Sequence, residues 1–126
     1  MSFEGILQTI VDECGGGRGA ALMGLDGIAI AEASSSAGVD ADDPLAGDVS
    51  SAGVEFGRIL GEMTKASDSL GTGSVREAVL SLARATLIFH AVDEDLVLVI
   101  ALHPDGNLGK ARYLIRRNLG RIRAEL

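Results

Sequence analysis

Few residues in this chain have the types and spacing that chemistry needs. His90 and His103 are its only histidines, and neither has a second His, a Cys or clustered carboxylates at metal-ligand spacing. Cys14 is the single cysteine; it permits no internal disulfide and no multi-cysteine metal site, which suits a reducing compartment. Ser34, Ser35 and Ser36 stand in a row without a paired base, and no GxSxG, HExxH or Cys-His arrangement occurs, so hydrolytic chemistry has no positive support. The tract GGGRG at Gly15 to Gly19 lacks the Lys-Ser or Lys-Thr of a phosphate loop and leads toward a strand, so it reads as a connector. Asp40, Asp42 and Asp43 could attract calcium, but the glycine and closing glutamate of a hand-type loop are missing. The stretch 33–43 reads instead as a solvated loop whose charge favours the N-terminus of the helix after it. No catalytic, cofactor-binding or metal-ligating residues are expected, and the chain does not read as an enzyme.

Composition narrows the partners. With 126 residues, 47% of them apolar, one domain over 1–126 with a sizeable core is expected. Aromatics make up 3%, with no Trp, too few for base-stacking platforms. The net charge of -7 repels a phosphate backbone, so nucleic acid is an unsuitable partner. The longest apolar run, Leu96 to Leu102, is far short of the ~20 residues a membrane helix needs. With no signal peptide at its start, the chain reads as cytoplasmic without membrane insertion.

The elements follow from periodicity. Phe3, Ile6, Leu7, Ile10, Val11 and Cys14 recur at helical spacing after Ser2, a suitable N-cap, and before Gly15 to Gly17. Ala20 to Leu25 and Ile28 to Glu32 form a hairpin joined by Asp26-Gly27, which suggests a type I′ turn. A second helix is expected from Asp43 as cap and Pro44 as first residue, with Leu45, Val49, Ala52, Phe56, Ile59, Leu60, Met63, Ala66 and Leu70 as a buried stripe. Ser74 to Leu82, Arg84 to Val92 and Asp95 to His103 then read as a meander. The third of these strands is apolar on both faces, so it is expected at the centre under a layer on each side, and the mixed first strand at an edge. Pro104 to Asn107 turn the chain into a last helix, Leu108 to Leu126, with Leu108, Ala111, Ile115, Leu119 and Ile122 inward and Leu114 and Leu126 beside them.

Two surface features stand out. Gly53, Gly57 and Gly61 recur every four residues beside the apolar stripe of the second helix. Each costs ~1 kcal/mol relative to alanine in a helix interior, so the row implies close approach, either by the domain's own sheet or by another protein chain. Six of the eleven basic residues lie between Lys110 and Arg123. A solvated face is the favoured reading there over a site for an acidic partner.

Order and local phrasing together resemble the Roadblock / dynein light chain family. The phrases are RGAALMGLDGIAIAE (18–32), LAGDVSSAGVEFGRILGEM (45–63) and LVLVIALHPDGNLGKARYLIRR (96–117). The resemblance implies an α+β fold of Roadblock-like, profilin-like α/β/α layers. In it, a five-stranded antiparallel sheet (hairpin plus three-stranded meander) carries the second helix on one face and the first and last helices on the other. It also implies dimers, with a second copy or a paralogous Roadblock protein, in which the edge strand and the second helices meet. The seam residues would be Val75, Glu77, Val79, Ser81, Phe56, Leu60 and Met63. In the bacterial MglB-like branch such dimers bind a Ras-like small GTPase of the MglA type and accelerate its hydrolysis without a catalytic arginine, by remodelling its switch regions. The contacts implied here are Ser50, Gly53, Val54, Gly57 and Gly61. A scaffold of the same fold that recruits partners without altering GTP hydrolysis is the alternative.

Overall fold

The computed structural model describes residues 2–36, 45 and 48–126 of the chain. Helix α1 spans Phe3–Glu13; the Ser2 hydroxyl accepts the Gly5 N–H at 3.1 Å, and Gly15 and Gly16 leave the helix with positive φ. Strands β1 (Gly17–Gly24) and β2 (Ala29–Ser34) follow. The connector is therefore shorter than GGGRG, since β1 already begins at Gly17. Their turn also differs from a type I′ turn: Gly27 alone has positive φ and Asp26 does not. The Gly24 carbonyl accepts the Gly27 N–H at 3.0 Å, and the Gly24 N–H reaches the Ile28 carbonyl at 2.9 Å. That is a three-residue connection closed by a left-handed glycine, a geometry that needs positive φ only once.

Helix α2 spans Val49–Ser69, capped by Asp48, whose carboxylate accepts the Ser51 N–H at 3.2 Å. The start is thus later than expected, because Asp48 offers the cap; Asp43 and Pro44, and most of the acidic loop, lie outside the described residues. Bonds from the Ser51 hydroxyl and N–H and from the Ser50 hydroxyl hold the Asp48 carboxyl below its ordinary pKa. The meander follows as β3 (Glu77–Ser81), β4 (Thr86–Ala91) and β5 (Leu96–Leu102), each shorter than its sequence pattern. Asp93 closes the β4–β5 turn by accepting the N–H groups of Asp95 and Leu96. Asn107 caps α3 (Leu108–Ala124), which ends before Leu126; that residue is exposed and does not join the buried face.

All pairs are antiparallel, in the order β2-β1-β5-β4-β3. The apolar strand β5 is central and β3 is an edge, as its pattern demands. Two cores result. On one face Leu98, Ile100 and Leu102 meet α1 and α3 through Ile6, Leu7, Ile10 and Ile115; on the other Val97, Val99 and Ala101 meet α2 through Val49 and Ala52. Alternate residues of one strand supply both layers, because successive side chains point to opposite faces.

Candidate partner-binding site on the second helix and the edge strand

The two halves of α2 have different surroundings. Val49, Ala52 and Gly53 are buried on β1 and β5, and Phe56 meets Phe89 edge to face with ring centroids 6.0 Å apart. Beyond Phe56 only Leu60 of the expected buried stripe still packs on the core. Ile59 is 50% exposed, Met63 47% and Leu70 79%, because the second half of the helix stands off the sheet across an open groove. The groove, of about 450 Å³, is lined by Leu60, Gly61, Thr64, Val75, Phe89 and Leu96.

The glycine row divides at the same point. A Cβ on Gly53 would collide with the Met23 sulfur and touch Val99, so this glycine serves the domain's own packing and its place is inside the fold. Around Gly57 and Gly61 a Cβ would meet nothing within 4 Å. Val54, 47% exposed, lies beside the turn between β1 and β2, its Cγ2 3.6 Å from where a Cβ on Gly27 would stand. The Ser50 hydroxyl is turned to Asp48 at 3.1 Å as part of the cap. Of the five implied contacts, Val54, Gly57 and Gly61 thus share an open helix surface, Ser50 lies at the helix start and Gly53 is enclosed.

Strand β3 sorts the implied seam residues by parity. Glu77, Val79 and Ser81 pair with His90, Ile88 and Thr86 and share the face of α1 and α3. Phe56, Leu60 and Met63 stand on the other side of the sheet. The residues that the strand places on the α2 side are Ala78 and Leu80, which pack against the same cluster as Phe56 and Leu60. They were missed because both parities of the strand contain valine or leucine. Their register with Phe89 and Leu87, which already point toward α2, was the signal that separates them. Val75 precedes the strand and lines the groove, its N–H 3.4 Å from the Thr64 hydroxyl.

Sequence reasoning also missed a charged cluster holding this edge. Arg112 of α3 meets Glu77 at 2.7 Å, and His90 Nδ1 lies 3.3 Å from the other carboxylate oxygen. Burial works to raise the Glu77 carboxyl, but the hydrogen bond and charge of Arg112, then those of His90, outweigh it and lower the pKa. His103 is elsewhere, accepting from Arg18 Nε at 3.1 Å. No three His, Cys, Asp or Glu side chains converge as metal ligands among the described residues. Cys14 is fully buried, and that burial pushes its thiol pKa up, which makes it a poor nucleophile. Among the described residues no helix is long and apolar enough to cross a membrane.

The geometry has counterparts among solved structures. MglC from Myxococcus xanthus is 33% identical over the whole of both chains, with a TM-score of 0.68. MglB from Thermus thermophilus, a gliding protein, is 21% identical, covering 97% of this chain and 88% of that one, with a TM-score of 0.78. A Roadblock/LC7 domain from Streptomyces avermitilis is 14% identical over 98% and 97% of the two chains, with a TM-score of 0.77. Neither a family model nor a curated protein sequence matches the chain.

Proposed function

The chain belongs to the Roadblock family, and on that footing we propose that it is a homodimeric, cytoplasmic regulator of a Ras-like small GTPase of the MglA type, acting as a GTPase-activating protein. The observation that carries this reading is the exposed flank of α2, where Gly57 and Gly61 leave the backbone open beside Val54. A surface of small and apolar residues on an exposed helix lets another backbone come close. Arg58, which flanks this surface, is paired with Glu55 at 3.7 Å, and in this reading acceleration would come from repositioning the GTPase's own switch segments.

In this reading β3 pairs with β3 of a second copy, and the seam on the α2 side is built from Ala78, Leu80, Leu60 and Met63. Val75, Phe56 and the outer residues Glu77, Val79 and Ser81 flank it. Two second helices side by side would then present one continuous platform. Cell polarity and motility are the processes in which such a regulator would serve. GTP turnover by an MglA-type GTPase, with and without this protein, tests the proposal. Acceleration and binding that depends on the bound nucleotide are expected; neither rate change nor nucleotide-dependent binding would reject it.

A second reading is a scaffold that binds without changing hydrolysis. Nucleotide-dependent binding with an unchanged rate would select it.

A further inference from the structure

The opposite face of the sheet carries a different surface. Helix α3 has six cations and no carboxylate in its seventeen residues, in a chain of net charge -7. Lys110, Arg116, Arg117 and Arg121 are all exposed, and only Arg112 of the six has a carboxylate within ion-pair distance among the described residues. Tyr113, 57% exposed, sits amid these charges, its hydroxyl 3.3 Å from Arg117.

We propose that the outer face of α3 is an adsorption surface for anionic phospholipid membranes. The face is a convex helix, and a bilayer needs no pocket to meet it. The adjoining cleft, of about 840 Å³, is lined by Arg76, Arg112, Arg116 and Arg123 together with Glu77, Asp93 and Glu94, and this mixed charge gives an acidic peptide no uniformly cationic pocket. Five of the six cations are arginines, whose guanidinium forks match phosphate oxygens. An exposed tyrosine suits the headgroup layer, where its ring and hydroxyl are both accommodated. The helix's apolar stripe is committed to the core through Ala111, Leu114, Ile115 and Ile122, so adsorption is electrostatic and shallow. The carboxylates of the α2 side are separated from the bilayer by the sheet layer, beyond a Debye length of about 8 Å, while Glu4, Asp12 and Glu13 of α1, which shares this face, oppose contact there and confine adsorption to the α3 side.

Dimerisation would strengthen this surface, a step that rests on the edge-paired dimer proposed above. Two identical antiparallel edge strands are related by a two-fold axis normal to the sheet, so both α3 helices fall on one face. Arg112 reaches Glu77 on β3, and Arg123 Nε donates to the Val92 carbonyl at 3.0 Å, just beyond β4. Each α3 therefore runs on the seam side of its own sheet. The dimer would offer Lys110, Arg116, Arg117 and Arg121 of both copies to one plane, about five-fold in affinity for each that reaches an anionic surface.

Co-sedimentation of the full chain with phosphatidylcholine vesicles, with and without phosphatidylserine, tests this. Binding only to the anionic vesicles, weakening with added salt, is expected. Replacing Lys110, Arg116, Arg117 and Arg121 together by Gln should weaken it more than about 100-fold at the stated gain per cation, with the melting transition retained as the check on folding. Equal binding to neutral vesicles, unchanged binding by the folded Gln variant, or preferential capture of polyglutamate would overturn the proposal, the last assigning the face to an acidic protein. Sedimentation velocity on the same samples separates the two readings. A monomer that binds anionic vesicles through these cations overturns only the dimer, whereas a dimer that ignores them overturns the membrane surface.

Discussion

Helices α2 and α3 lie on opposite faces of one sheet, are both amphipathic and are both capped by a side-chain oxygen, yet they spend their apolar residues differently. Helix α3 buries Ala111, Leu114, Ile115 and Ile122 from its first turn to its last and leaves charge outside. Helix α2 buries its first two turns and leaves Ile59, Met63 and Leu70 in solvent. Apolar area left exposed is free energy still available for association; exposed charge acts at longer range but weakly per contact. One helix is thus suited to a close-packed partner and the other to a diffuse one.

The sharpest way to break this contrast is to truncate equivalent residues. Ile115→Ala, in a site with no exposure, should cost about 2–5 kcal/mol in denaturant unfolding, while Ile59→Ala should cost less than about 1 kcal/mol. Similar losses would mean that the second half of α2 is packed after all.

The glycines sharpen the same boundary with a change of sign. Gly53→Ala must displace Met23 and should destabilise by about 1–3 kcal/mol, whereas Gly57→Ala, with open space around it, should stabilise by up to about 1 kcal/mol. Thermal melts of the two variants read this directly, and Gly57→Arg should fold normally while losing GTPase binding in a pull-down.

Parity at the edge supplies the next test. Leu80→Glu, on the α2 side, should raise the dimer dissociation constant at least about ten-fold by burying a charge at the seam. Val79→Asp, on the α3 side, should have a smaller effect; sedimentation profiles unchanged in both would count against β3 as the seam.

The smallest effect concerns the Glu77 cluster that ties α3 to β3. Since the folded-state pKa of Glu77 is lowered, its stabilisation is present above the unfolded value near 4.5 and is lost as pH falls through the lower folded value. The melting temperature of Glu77→Gln should therefore fall below that of the unaltered protein at neutral pH, and the gap should narrow as the pH drops below about 4.5. A gap that persists in acid would place the effect in packing.

Local pattern determined much of this molecule. Alternation along Leu96 to Leu102 was enough to place β5 at the centre with a layer on each side, and Ser2, Gly15 and Gly16 marked where α1 starts and stops. These signals are legible because burial of alternate side chains and the φ of single residues are decided within a few residues of chain. What only the tertiary structure decided is where each stripe meets something. Nine apolar positions from Leu45 to Leu70 have one helical period, but beyond Leu60 none packs on the core. Gly53, Gly57 and Gly61 have one spacing, but Met23 stands opposite the first alone. The Glu77, His90 and Arg112 cluster joins two strands and a helix through contacts that no local spacing encodes. Periodicity fixes which way a side chain points, whereas its neighbour is set by how closely the opposing layer approaches.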